Sequence, residues 1–362
     1  MKDKNTIFIA LYNGYPMTSG ASTVTTSLFK SWPTLKKRLF QITHEKRSSN
    51  PSVFNFKIPS NNKLIKLFSL PFFLFFILKN SFKEKIDYFV IEGATWVGYI
   101  YFFQKILKIL FKKSKFIYHS HNIEADIRKN KYLISKLTFF FEKKVLNNFD
   151  FVTAVSKKDQ KIFKQKYQKD TLLLENGVFL ENIKIKNIKK NYKYIIFPGS
   201  LEFIENKIIF KKLYNEIFPF LKSIDSKFKI LITGSDIKFY ENDKNIIELG
   251  VLDKKSFLKY LISSWALIIP SKKGPGTKIK IIEALCYNKV VFASKDALSG
   301  IENNLIHKIV YKNRKELFRK VKFFYNNHSI IFNKFKKIGK IYRQKYNMKI
   351  IAKNFYEVIE RK

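Results

Sequence analysis

The 362-residue sequence is most informative in what it lacks. It holds one cysteine, Cys286, so no disulfide within the chain and no cysteine-built metal site can form. That fits a reducing cytoplasm. Acidic residues are few, 28 Asp and Glu against 70 Lys and Arg, for a formal net charge of +42. Such a deficit points to an anionic partner. Yet lysine far outnumbers arginine and runs from end to end alongside inflated Asn, Ile and Phe, a pattern that compositional drift also produces. Nucleic-acid surfaces gather arginine and aromatics on one face. No such gathering is visible, and no nucleic-acid partner is expected.

Long apolar runs are also missing. The nearest, residues 67–78 (LFSLPFFLFFIL), is interrupted by Pro71 and falls well short of the roughly 20 residues a membrane span requires. It reads as a buried helix of the first domain. With Lys63, Lys66, Lys79 and Lys83 around it, it also reads as an apolar and basic surface over 63–83 that lies in an anionic membrane interface. The start, MKDKNTIFIALYNG, reads as a strand entering a loop and lacks the apolar core and cleavage site of a signal peptide. The expected location is the cytoplasm or, on the second reading of 67–78, the inner face of the cell membrane.

What is present is material for two cores: 46% hydrophobic and 17% aromatic residues over a length that exceeds one ordinary domain. Short apolar runs recur at 6–13, 87–93, 115–121, 149–156 and 170–177, separated by helical patterns such as 131–148. A polar, Lys/Asn-rich stretch follows, and the rhythm restarts at 194–200, 229–235, 245–250, 266–271 and 289–294. Alternation of this kind predicts parallel sheets with crossover helices. The expected organisation is an N-terminal domain over 1–180, a linker at 181–193, a second domain over 194–340, and a helical tail.

In such sheets ligands bind beyond the carboxyl ends of the strands, and the informative residues fall there. The stretch IIPSKKGPGTKIKIIEAL (268–285) is a strand, a glycine loop and a helix. Gly274 and Gly276 bare the backbone, Lys272, Lys273 and Lys278 add positive charge, and a helix N-terminus favours an anion, so phosphate is the natural guest. Glu283 follows one to two turns on, where a carboxylate can accept from paired ribose hydroxyls. Of the five histidines, His119 and His121 both sit in YHSHNIEADI, on or just past the third run. Strand alternation points them opposite ways or leaves one in the loop. No Asp/His cluster of ligand spacing accompanies them, so no metal is expected. The front loop NGYPMTSGAST (13–23) offers Thr18, Ser19, Gly20 and Ala21 as helix caps or backbone contacts for a sugar or phosphate. Asn176-Gly177 reads as a turn.

Taken in order, these pieces resemble the retaining GT-B glycosyltransferases of family 4, in the G-x-G-T-x-x-K-x-x-E-A subtype. HNIE, FDFVTAVSKKD, ENGVFLENI, FPGSLEFIENK, ELGVLDKKSFLKYL and GPGTKIKIIEAL each resemble a segment of that family, and the tail YNMKIIAKNFYEVI is similar to its last helices. The resemblance implies an α/β architecture: two Rossmann-like doubly wound domains facing across a cleft, with a C-terminal helix (341–362) crossing back to the first. It implies transfer of a sugar, with retention, from a nucleotide-diphosphate-sugar to a glycan or lipid-linked acceptor in surface polysaccharide synthesis. No cofactor and no metal are implied.

The resemblance also assigns roles. Glu283 binds the ribose, and Gly274, Gly276 and Thr277 meet the diphosphate. Lys278 and Lys280 steady it or the loop. His121 lies near the transferred sugar, and Ser19 and Gly20 face the phosphates. Gly199, Ser200, Lys207 and Gly234 border the donor after the first two strands of the second domain. Two departures stand out: Pro275 replaces a second glutamate, and Ser200 occupies an arginine position, leaving Lys207 or Lys272 as candidate substitutes. Two other readings remain beside this one: a non-enzymatic binder of nucleic acid or acidic lipid, and a sugar-nucleotide epimerase or inactive paralogue on the same fold.

Overall fold

A computed structural model describes residues 4–44, 50–60, 62–130, 132–181, 188, 190–234, 243–270, 277–298 and 310–362, with backbone only at 277 and 278. The chain forms two compact units, Met1–Phe179 with Met348–Lys362, and Leu180–Asn347.

Unit 1 is built on a seven-stranded parallel sheet: β1 (Asn5–Ala10), β2 (Lys36–Thr43), β3 (Val53–Lys57), β4 (Tyr88–Glu92), β5 (Lys115–His119), β6 (Phe151–Ala154) and β7 (Leu172–Leu173). The spatial order is β3-β2-β1-β4-β5-β6-β7, so the chain reverses its winding direction between β1 and β4. Strands such as β1 and β4 are buried throughout, as a sheet covered on both faces demands. The pleat sends Ile7 and Ile9 into one core and Phe8 and Ala10 into the other.

One face is covered by α1 (Gly20–Ser31) and α13 (Met348–Glu360), the other by α2 (Lys63–Lys79), α3 (Val97–Leu110), α5 (Tyr132–Asn148) and α6 (Lys157–Tyr167). Short α4 (Glu124–Ile127) lies between β5 and α5. The last helix is thus part of the first unit. Trp32 packs edge-on against Tyr356 at 5.5 Å and lies 6.1 Å from Phe355, ring centre to ring centre, while Met348 N–H donates to Val178 O at 3.0 Å. Residues 341–345 still belong to the preceding helix, α12 (His328–Lys345), in the second unit.

Sequence 67–78 is helical, but the buried-helix reading does not hold. Of the residues of α2, Phe73 and Ile77 are buried, whereas Leu64, Phe68, Phe72 and Phe75 are each more than 60% exposed. A helix on a sheet buries one stripe, and this sequence is apolar well beyond its stripe. No described helix is long and apolar enough to cross a membrane.

Unit 2 holds β8 (Tyr194–Pro198), β9 (Lys229–Thr233), β10 (Ile246–Glu248), β11 (Leu267–Ile269), β12 (Val291–Ser294) and β13 (Val310–Tyr311), in the orders β10-β9-β8 and β11-β12-β13. A parallel bridge between Ile195 and Ala266 joins the two sets. The helices are α7 (Ile204–Lys212), α8 (Phe218–Ile224), α9 (Lys254–Ser263), α10 (Thr277–Cys286), α11 (Arg314–Asn326) and α12 (His328–Lys345). The helix expected at 206–224 is α7 running through a π-turn at Leu213–Ile217 into α8. Pro219, which has no N–H to donate, explains the break in the α-helical ladder. Strands β2, β3 and β13 were not expected.

The docking of α13 yields a test. Phe355 is 4% exposed. Phe355→Ala should destabilise unit 1 by about 3–5 kcal/mol, the usual range for removing a buried phenyl ring, read as a lower urea midpoint.

Candidate active site

In unit 1 the chemistry collects at the carboxyl ends of β4 and β5, next to the winding reversal, where doubly wound sheets bind ligands. The register pairs Glu92 with His119. Gly93 follows, and a methyl group there would come within 2.7 Å of His119 O, so only glycine lets the chain pass. Because β5 ends at His119, alternation no longer governs His121. Both imidazoles reach one oxygen: Glu92 Oε2 lies 3.0 Å from His119 Nδ1 and 2.6 Å from His121 Nε2. Thr25 Oγ1 donates to the same oxygen at 2.9 Å, and Tyr12 OH lies 2.6 Å from Thr25 Oγ1. Glu92 Oε1 is buried with no hydrogen-bond partner among the described residues.

Burial alone would raise the Glu92 carboxyl, but the two imidazoles outweigh it and hold it at about 2. An ionised carboxylate only accepts, so His119 donates through Nδ1–H and His121 through Nε2–H. Burial lowers the His121 pKa below its usual 6.5, partly offset by Glu92. His121 is therefore a neutral ring at pH 7 whose acceptor nitrogen is Nδ1.

The loop carrying His121 is fixed by a second polar group. Glu142 of α5 accepts from the amides of Glu124 and Ala125 at 2.8 and 3.1 Å, and from Tyr167 OH. Glu124, the acid of HNIE, pairs with Arg128. Ser19 caps α1: its Oγ accepts from Ser22 N–H at 3.1 Å, and Ser22 Oγ accepts from Ser19 N–H at 2.7 Å. Gly20 opens the helix, where the first amides have no intrahelical acceptor.

In unit 2 the ends of β8 and β9 turn at Gly199 (φ +157°) and Gly234 (φ +115°). The turns touch: a methyl on Gly234 would meet Ser200 N at 2.5 Å. Asn206 Nδ2 donates to Ser200 O at 2.7 Å and steadies the loop. Lys280 of α10 reaches this turn, since a methyl on Gly199 would come within 2.8 Å of its Nζ. Burial lowers the Lys280 ammonium to about 8. Glu283, three residues on and so on the same helix face, is 6% exposed and ion-paired with Lys254 of α9.

The expected residues thus fall into two groups. His121, Ser19 and Gly20 lie at the strand ends and first helix of unit 1, while Gly199, Ser200, Gly234, Lys280 and Glu283 lie around the β8 and β9 ends and α10 of unit 2. Lys207 lies in α7. Lys272, Gly274 and Gly276 lie outside the described residues, as do the side chains of Thr277 and Lys278. Sequence reading missed Glu92, Thr25, Tyr12 and Lys254. It also found no cluster at metal-ligand spacing. The structure supplies one, because Glu92, His119 and His121 offer ligand atoms within 4.8 Å of one another.

The search of family models returns no match, and neither does the search of curated proteins. Solved structures do match. Sucrose-phosphate synthase from Thermosynechococcus elongatus superposes with a TM-score of 0.71 at 12% identity, covering 99% of each chain. Anabaena HepE, solved with UDP and glucose, gives 0.69 at 12% identity over 99% of this chain and 100% of that one. WaaG, a glycosyltransferase of lipopolysaccharide biosynthesis, gives 0.62 at 11% identity over 98% and 99%. The fold is GT-B. Identities this low establish architecture alone.

The Glu92 pKa makes a signed prediction. Its folded value lies below the ordinary 4.5, so its contribution to stability is complete above pH 4.5 and is lost as pH falls through about 2. Urea denaturation should find Glu92→Gln less stable than wild type at pH 6, with the gap narrowing steadily below pH 4.5. A gap independent of pH would rule out the ionised pairing.

Proposed function

We propose that the protein is a retaining glycosyltransferase that moves a sugar from a nucleotide-diphosphate-sugar to a glycan or lipid-linked acceptor. The observation that carries the reading is in unit 2. Two glycine turns at adjacent strand ends bare their backbone, and the buried Lys280 ammonium lies against one of them, with Glu283 one turn further along α10. A diphosphate suits bare amides and a desolvated cation. A carboxylate one turn away suits ribose hydroxyls. GT-B neighbours solved with UDP-glucose and UDP support the same donor class.

In this reading Lys280 takes the place of the arginine that Ser200 does not supply. Its position against Gly199 favours it over Lys207. Lys254 orients the Glu283 carboxylate through Oε1, leaving Oε2 to face the pentose. In unit 1, Glu92 fixes the neutral His121 ring, leaving Nδ1 to accept from a hydroxyl of the transferred sugar. Attack by the acceptor hydroxyl comes from the face of the departing phosphate, which takes the proton. The leaving charge is met by amides and lysine, without a metal. The Glu92–His119–His121 group serves as a hydrogen-bonded triad, with its imidazole protons spent on the carboxylate.

Thermal melts with UDP, ADP, GDP and TDP test the donor site, because a ligand that binds the folded state raises Tm. One of them should raise it. Lys280→Met should weaken that diphosphate on the order of tenfold or more, and Glu283→Gln should raise the donor KM, with circular dichroism confirming that the variant is folded. If no diphosphate moves Tm, the donor site fails. Transfer should persist in EDTA; activity lost to EDTA and restored by a divalent cation would place a metal at one of these sites.

A further inference from the structure

The strongest feature outside the candidate site is the outer surface of α2, α3 and α5. More than half of the large apolar side chains exposed among the described residues lie on these three helices. They form one neighbourhood. Phe73 of α2 stacks on Phe103 of α3 at 5.7 Å, and Phe102 of α3 meets Phe141 of α5 at 5.5 Å. Beneath, Phe103, Val145 and Leu146 bind the helices to the sheet. Outward, Phe68, Phe72, Phe75, Phe102, Leu133 and Phe140 are each more than half exposed. A contiguous apolar surface of this kind marks an interaction site.

Its charge selects the occupant. Exposed lysines border it, at Lys63 and Lys79 on the two ends of α2, Lys105 on α3, and Lys136 and Lys144 on α5. Lys136 and Lys144 lie over the rings of Tyr132 and Phe140, with their heads 4.4 and 5.5 Å from the ring centres. Helices α2 and α3 contain no acid, and the one acid of α5, Glu142, is turned inward as the cap of α4. A second copy docked on this face would set lysine against lysine. An anionic lipid surface meets both properties: rings enter the acyl boundary while lysine heads stay at the phosphates. At the end of α2, a hollow of about 470 Å³ lined by Phe75, Leu78, Phe82, Lys79, Lys83 and Glu84 repeats that pairing on a smaller scale.

We infer that α2, α3 and α5 together form an in-plane docking face for an anionic bilayer, wider than the 63–83 segment alone. The inference does not rest on the transferase reading, because its test needs no sugar donor. The full chain is sedimented with vesicles of phosphatidylcholine with or without phosphatidylglycerol. Binding is expected only with phosphatidylglycerol. Phe68→Ser/Phe72→Ser/Leu133→Ser, which leaves every charge in place, should weaken it about tenfold or more. Lys79→Gln and Lys136→Gln should each cost up to about fivefold, whereas Lys336→Gln/Lys337→Gln on α12 should cost nothing.

Three results would overturn the inference. One is no binding to phosphatidylglycerol vesicles. A second is binding equally indifferent to the serine triple variant and sensitive to the α12 lysines, which means net charge alone. The third is light scattering that shows a lipid-free dimer dissolved by the triple variant, which assigns the face to a second copy. Unchanged circular dichroism and melting in each variant keep the comparison valid.

Discussion

Parallel strands cannot be joined by a tight turn. Each must be followed by a crossover that returns the chain to the same end of the sheet, and most of what this protein presents follows from that constraint. Every strand of both units points the same way as its neighbours, so every strand-to-helix turn of a unit lies on one edge. Glu92, His119 and His121 meet there because two neighbouring strands, β4 and β5, end in register. Gly199 and Gly234 meet for the same reason at β8 and β9. The constraint also sets α3 and α5, the crossovers of the β4-to-β6 half, side by side on one face, next to α2, which carries the chain from edge strand β3 back to β4.

The unit 1 cluster shows how a charge is kept in a dry place. A buried carboxylate is costly unless it is paired and hydrogen-bonded. Glu92 meets that condition on one oxygen only, with two imidazoles and a threonine hydroxyl converging on Oε2. The bare Oε1 is the opposite case, since a buried acceptor without a donor costs on the order of 1–3 kcal/mol. Evolved cores rarely leave such a group unmet without a use for it. A hydroxyl donor from a bound ligand would satisfy it, beside His121. The Glu142 cap reinforces this arrangement by fixing the chain just after His121.

Much of this was legible in the sequence, and the exceptions have physical causes. Strands such as β1, β4, β8 and β9 were readable because a sheet covered on both faces requires unbroken hydrophobicity. Strands β2 and β3 were not: β2 begins in lysines, and β3 alternates Val-Phe-Asn-Phe-Lys with only Val53 buried; the two-residue β13 was also missed. Gly199, Gly234, His121 and Glu283 stood out in the sequence because each belongs to or follows a recognisable strand or helix pattern. Glu92 sits at such an end too, in FVIEG, and an acid closing an otherwise apolar strand was the available signal. Its partners could not be read, since Thr25 and the two histidines are brought to it by sheet order and not by spacing. Lys254 was hidden for the same reason: one lysine in so lysine-rich a chain is distinguishable only when its neighbour is known.

The apolar segment 67–78 exposes a limit of a different kind. Hydrophobicity reports that a side chain would rather leave water; it does not say where it will go. In β1 and β4 the same composition is satisfied by two layers of helices. In α2 the sheet can cover only one stripe, and no described element covers Phe68, Phe72 and Phe75. An excess of lysine explains none of this, because lysine is abundant everywhere in the chain, including on helices with few exposed rings. The informative quantity is the coincidence of uncovered aromatics with bordering cations on three adjacent helices. Compositional drift would scatter both over the surface independently, whereas here the rings concentrate on a single face of a single unit.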